Sequence, residues 1–214
     1  MALTLYSSWR ASAPYRVRLA LAWKGLAANI VPVDLRAGAQ SQAAYRALNP
    51  QGLVPLLIDG DMALTQSLAI IEYLEDVHPQ PALLPPDAIG RARVRAAALM
   101  IAADIHPVNN LRVMQYLASP LMHDQTVIDG WARHWIAAGL GAVEAFAGVH
   151  GGRFLHGDAL SVADLCLVPQ LYNARRFAAD LSPYPHLMAI ETTVLAMPFA
   201  AAAHPDNQPD AVRT

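Results

Sequence analysis

Ser12 lies in the polar loop Ser7-Ser8-Trp9-Arg10-Ala11-Ser12-Ala13-Pro14-Tyr15-Arg16-Val17-Arg18, between a short apolar run and a helical pattern. A strand-to-helix turn of this kind gathers backbone N–H groups and the positive end of a helix at one spot, which favours an anion. A thiolate placed there gains a hydroxyl donor from Ser12, and lowering a thiol pKa from ~8.5 to ~6.5 corresponds to about 2.7 kcal/mol of preference for the anion. The plainer reading is that Ser12 caps the helix, with Pro14 in its first turn. The single cysteine, Cys166, sits in the apolar run Leu165-Cys166-Leu167-Val168 and reads as a buried, inert thiol. One cysteine permits no disulfide within the chain, so any thiol chemistry takes its sulfur from a small molecule.

Other polar groups stand where chemistry is possible. Gln66-Ser67 precedes the helical pattern Leu68-Ala69-Ile70-Ile71-Glu72-Tyr73-Leu74 and offers a hydroxyl and an N–H to a carboxylate, or a plain N-cap. Val54-Pro55 opens a strand, where proline suits either a sheet edge or a cis bond in a tight turn. His106, Asn110 and Arg112 interrupt an apolar helical region, and Arg175-Arg176 close another; each pair of readings is a cleft or a solvated helix surface. Arginine offers a planar fork that suits carboxylates, so an arginine facing a cleft could hold an acid. The eight histidines show no zinc-like spacing, so no metal is expected. Ser161-Val162-Ala163-Asp164 reads as a capping box with a purely structural role.

The elements that position these residues fall into two groups. The first third alternates strand and helix signals: strand 3–6, helix 14–23 ending near Gly25, strand 29–33, short helix 41–48, strands 54–58 and 62–64 around Asp59-Gly60, and helix 67–77. Residues 79–88 carry four prolines, which break helices and stiffen a connector. Helical patterns follow over about 89–117, 124–147, 161–178 (kinked at Pro169) and 184–196, then an irregular tail at 204–210. The fold class is α+β, with domains at 1–82 and 89–214 and a linker at 83–88. Apolar residues at 55% against 15% charged argue for a well-buried globular chain and against disorder. A net charge of -2 leaves no basic footprint for nucleic acid. No segment is long and apolar enough for a membrane, and the N-terminus lacks signal-peptide character, so a cytoplasmic protein is expected. Lys24 is the only lysine beside fourteen arginines, which codon bias explains for most of them.

In their joint order these motifs resemble the zeta class of glutathione transferases, which includes maleylacetoacetate isomerases and bacterial maleylpyruvate isomerases. The resemblance is carried end to end by Tyr6 to Leu21 with its Arg-Val-Arg-Leu-Ala-Leu, Ala47-Leu48-Asn49-Pro50, Gln66 to Leu74, His106-Pro107 through Asn110, Ala163 to Gln170, and the tail His204-Pro205 with Gln208-Pro209-Asp210. It implies a thioredoxin-like N-terminal domain, an all-α C-terminal domain and a homodimer. It also implies glutathione held by the Val54 backbone beside cis-Pro55, by Gln66 and Ser67, and by His106 and Asn110, with Ser12 facing the sulfur. The implied reaction is cis–trans isomerisation of a small unsaturated diketo acid in aromatic or tyrosine catabolism. Glutathione serves as a regenerated nucleophile, and Arg10 and Arg176 bind the substrate acids ahead of Arg112 and Arg175. One departure stands out: where the family shows Ser-Ser-Cys, this chain has Ala11-Ser12-Ala13. The rival readings are a glutathione-conjugating transferase or dehalogenase, and a non-catalytic binder of glutathione or apolar ligands.

Overall fold

Alternate residues of Leu3–Ser7 turn inward, and this segment forms strand β1 of a computed structural model that describes residues 2–212. Met1, Arg213 and Thr214, included in the expected segments 1–82 and 89–214, lie outside the described residues. β1 pairs in parallel with β2 (Ala28–Pro32) and antiparallel with β3 (Leu56–Asp59), which pairs antiparallel with β4 (Met62–Thr65). The sheet order is β2-β1-β3-β4. A parallel pair needs a crossover, supplied here by helix α1 (Ser12–Trp23), whose Val17, Leu19, Ala20 and Leu21 are buried. Gly25, at φ +66, lets the chain leave that helix through a left-handed residue. Helix α2 (Ala43–Leu48) places Tyr45 against Val33 and Leu56, while α3 (Ser67–Val77) packs on α1 through an apolar stripe including Ile70, Ile71 and Leu74.

The chain divides into two compact units, one formed by Met1–Leu83 with Leu195–Thr214 and the other by Leu84–Val194. The expected grouping put the tail with the helices; its contacts put it with the sheet unit. The reason is helix α9 (Pro198–Ala203), which packs against α1, with Phe199 and Trp23 in edge contact at 5.2 Å. Nor is the tail wholly irregular, since Pro205–Asn207 makes a 3₁₀ turn.

In the sheet unit the lone lysine finds a use that composition could not show. Lys24 Nζ donates to Glu75 Oε2 at 2.8 Å, the His78 carbonyl at 2.6 Å and the Pro81 carbonyl at 3.1 Å. Three donors on a compact ammonium meet three acceptors, a pattern a planar guanidinium cannot match from that distance. Glu75 in turn accepts the Leu83 N–H at 3.0 Å, tying the proline-rich stretch to α3.

The second unit is helical. The expected helix 89–117 is three pieces: α4 (Ala88–Leu99), a π turn over Met100–Ile105 and a 3₁₀ turn over His106–Asn109, before α5 (Leu111–Ala118). Pro107 has no N–H to continue an α ladder. The π turn packs on α6 (Gln125–His150), where a Cβ on Gly139 would meet Ile105 Cγ1 at 2.2 Å. Gly139 therefore sets how closely that turn can approach. Helix α7 (Val162–Arg176) is buried almost all round, with Pro169 and Cys166 inside it, and α8 (Pro185–Leu195) follows. The start of α7 is a full capping box: the Asp164 carboxylate accepts the Ser161 N–H, the Ser161 hydroxyl and the Leu155 N–H, each at 2.8 Å. Burial, opposed by these donors, raises Asp164 to a pKa of about 6. Among the described residues no helix is long and apolar enough to cross a membrane.

Candidate active site

β1 runs inward and ends at Ser7, and the chain turns through Ser8 to Ala11 before α1 begins. Ala11, not Ser12, occupies the cap position, in extended conformation and without a side-chain cap bond. Ser12 is thus the first helical residue, 3% exposed, and the plain capping reading of it fails. Its hydroxyl stands where the first-turn N–H groups lack intrahelical partners and the dipole is positive, the setting that favours an anion. Next to it, the Arg10 guanidinium lies 5.6 Å from the centre of the Trp9 ring.

The start of α3 repeats the pattern. Gln66 holds the cap position at φ 69, a region that costs a non-glycine residue about 1–3 kcal/mol and that recurs at ligand clamps. Its side-chain amide donates to Gln51 Oε1 at 2.9 Å. Ser67 is the first helical residue rather than the cap, and its hydroxyl accepts from Arg16 Nη1 at 3.3 Å. Arg16 is 1% exposed, and this fully buried cation ties α1 to the start of α3. Accepting from Arg16 orients the Ser67 hydroxyl so that its own proton points elsewhere.

Val54-Pro55 is cis and immediately precedes the inner strand β3, so the edge-strand reading is replaced by the turn reading. Pairing of β3 with its neighbours begins at Leu56, which leaves the Val54 backbone beyond the ladder. The approach to this bond is stapled from α2: the Tyr45 hydroxyl and Asn49 Nδ2 both donate to the Leu53 carbonyl at 2.7 Å. Burial, first among its causes, pushes the Tyr45 phenol up to about 12.

In the helical unit, His106 opens the 3₁₀ turn and Asn110 caps α5, its Oδ1 accepting the Arg112 N–H at 3.3 Å. The turn is held by Trp131, whose indole N–H donates to the Val108 carbonyl at 2.7 Å. Arg112 is exposed on the first turn of α5. At the end of α7, both Arg175 Nη atoms bind the Glu191 carboxylate, Nη1 to Oε1 at 2.6 Å and Nη2 to Oε2. That fork ties α7 to α8, and the bond to Glu191 raises the Arg175 pKa above its ordinary value. Arg176, one residue on, is exposed.

The sheet unit thus carries Arg10, Ser12, Val54, Pro55, Gln66 and Ser67, and the helical unit carries His106, Asn110, Arg112, Arg175 and Arg176. Reading by spacing missed Arg16, Asn49 and Tyr45, which hold these groups without being reactive. Two arginines within an apolar helix were the available signal for Arg16. Sequence reading also passed over Asn109, which is 4% exposed with neither amide atom partnered among the described residues.

A thioredoxin-like sheet unit with a cis-proline before its inner strand, joined to a helical unit, defines the class of glutathione transferases. Accordingly, the profile of the glutathione S-transferase N-terminal domain matches residues 1–76. The chain is 44% identical over 210 residues to the maleylpyruvate isomerase of a Ralstonia species, covering 97% of this chain and 99% of that one. It is 46% identical over 211 residues to the maleylacetoacetate isomerase of Pseudomonas aeruginosa, covering 97% and 98% respectively. Among solved structures, a holo maleylpyruvate isomerase described as a bacterial zeta-class glutathione transferase superimposes with a TM-score of 0.96 at 44% identity, over 98% of this chain and 100% of that one. The maleylacetoacetate isomerase of Anaeromyxobacter dehalogenans, with glutathione in its active site, gives a TM-score of 0.89 at 49% identity over 99% and 98%. The chain belongs to the zeta class of glutathione transferases, the family of the maleylacetoacetate and maleylpyruvate isomerases.

Proposed function

We propose that this chain is a glutathione-dependent cis–trans isomerase acting on maleylacetoacetate or maleylpyruvate, in aromatic catabolism, as a cytoplasmic homodimer. Relatives bearing those activities in their names align along nearly its whole length. The observation that carries the reading is the pair of buried serines, Ser12 and Ser67, each opening a helix, with the buried Arg16 of α1 donating to Ser67. Such a donor set suits a ligand with an anionic sulfur and a carboxylate, as glutathione is. Val54, beyond the ladder and beside cis-Pro55, adds backbone groups for a peptide-like ligand.

When bound, glutathione supplies a thiolate whose reversible addition to the alkene makes the double bond rotatable. The chain's own part is electrostatic and positional. Ser12 and the start of α1 favour the anionic sulfur, replacing what a cysteine in the family's Ser-Ser-Cys position could contribute. Val54, Pro55, Gln66 and Ser67 hold the tripeptide, and His106 and Asn110 are assigned to it from the helical unit. Arg10 and Arg176 bind the substrate carboxylates and offset charge developing on its carbonyl. Arg112 is a secondary candidate. Arg175, committed to Glu191, serves chiefly by fixing the end of α7 beside Arg176.

The test is the loss of absorbance of each cis diketo acid with glutathione present in catalytic amount. Turnover of one or both without glutathione consumption is expected. Removing one charged contact is worth about 1.5–3 kcal/mol, so Arg10→Ala and Arg176→Ala should each lower kcat/KM by roughly 10- to 100-fold. Stoichiometric consumption of glutathione by an electrophile, with neither acid turned over, makes the chain a conjugating transferase or dehalogenase instead. Saturable glutathione binding without any turnover makes it a binder.

A further inference from the structure

Arg10 follows Trp9, and the Trp9 main chain is held on both sides by residues the reaction does not use. The Trp9 N–H, in the peptide plane before its Cα, donates to Asp210 Oδ2 at 3.0 Å. The Trp9 carbonyl, in the plane after its Cα, accepts from Arg18 Nη2 at 2.7 Å. Fixing both planes fixes φ and ψ of Trp9, and with them the direction in which the chain enters Arg10. Both anchors are themselves secured. Arg18 is 4% exposed, with Nη1 donating to Ser7 Oγ at 2.8 Å, Nε to the Ala203 carbonyl at 3.1 Å, and its guanidinium 5.2 Å from the Tyr15 ring centre. Asp210 follows a tail pinned by Gln208, whose amide donates to the Ala202 and His204 carbonyls at 3.0 and 2.9 Å.

We propose that Arg18 and Asp210 are positioning residues that lock the Trp9 main chain and thereby aim Arg10 at the substrate carboxylate. The inference rests on the isomerase reading and deepens it by naming what orients its substrate-binding arginine. Ordering one loop residue costs about 1–2 kcal/mol, so a loop ordered before substrate arrives binds an acid more tightly than one ordered by it. Charge is not the requirement at Asp210. An acceptor oxygen facing the Trp9 N–H is.

Asp210→Ala and Asp210→Asn separate these requirements, because asparagine keeps an acceptor oxygen and alanine does not. In the full-length protein, hydrogen exchange of the Trp9 amide, followed by NMR, is expected to accelerate at least tenfold in Asp210→Ala and to stay within about threefold of wild type in Asp210→Asn. KM for the cis diketo acid is expected to rise about tenfold in the alanine variant and about twofold or less in the asparagine variant, with the glutathione Kd unchanged in both. Unchanged Trp9 protection in Asp210→Ala overturns the lock, and lost protection with unchanged KM overturns the aiming of Arg10 while leaving the isomerase reading intact. Wild-type protein that turns over neither acid overturns that reading and the aiming of Arg10 with it, and the exchange measurement then decides the lock alone.

Discussion

At the scale of single residues, the most informative is the lone lysine. Lys24 has a side chain wholly removed from solvent and an ion pair to Glu75 at 2.8 Å. Removing one partner of a buried pair leaves the other charge uncompensated, at a cost of about 3–5 kcal/mol. Lys24→Met should therefore lose about that much stability in urea unfolding, and Lys24→Arg should recover only part, since its fork cannot serve one carboxylate and two carbonyls from the same point. A loss below about 1 kcal/mol in Lys24→Met counts against the three-acceptor account. The sequence displays the oddity of one lysine among arginines but not its reason, because the two carbonyl acceptors belong to the main chain. Ser12 and Ser67 show the same limit: residue type announces a polar group at a helix start, whereas first helical turn versus cap depends on the backbone angles of Ala11 and Gln66.

Among the elements, helix boundaries set by apolar spacing were readable, and α3 begins and ends where spacing puts it. The π and 3₁₀ turns between α4 and α5 were not, since apolar periodicity continues through them and only their packing against Gly139 makes the widened turn visible. The capping box of α7 was legible from four residues, yet its titration comes from burial. Asp164 has a folded pKa of about 6 against an ordinary 3.8, so the folded protein binds this proton more tightly than the unfolded chain. The stability it contributes is complete below about pH 4 and is lost as pH rises through about 6. Asp164→Asn, which cannot titrate, should lower the urea midpoint at every pH by losing the second acceptor oxygen. It should also remove this component of the slope between pH 4 and 6, so that the gap between variant and wild type narrows as pH rises. A gap constant across that range excludes the shift.

For the molecule as a whole, the domain order α/β then α was legible, and the membership of the tail was not. Proline and polar residues at 204–210 look like a chain end, while the pairing of Phe199 with Trp23 joins segments far apart in sequence. Removal of residues 198–214 uncovers the face of α1 that α9 covers. With about 1 kcal/mol worth roughly 2–4 °C in a chain of this size, and a half-buried aromatic contact, the covered face of α1 and one arginine-held carbonyl, that of Ala203, affected, the Tm should fall by about 5 °C or more. A change of about 2 °C or less in a thermal melt by circular dichroism makes α9 dispensable.

The bond from the Trp9 amide to Asp210 spans 201 positions. On a ribosome adding ~5–20 residues per second, about 10–40 s separate the two partners. For that interval a nascent chain can have its sheet, its first helices and its arginines in place while the opening loop is held on one side only, by Arg18. The second anchor comes only with the tail.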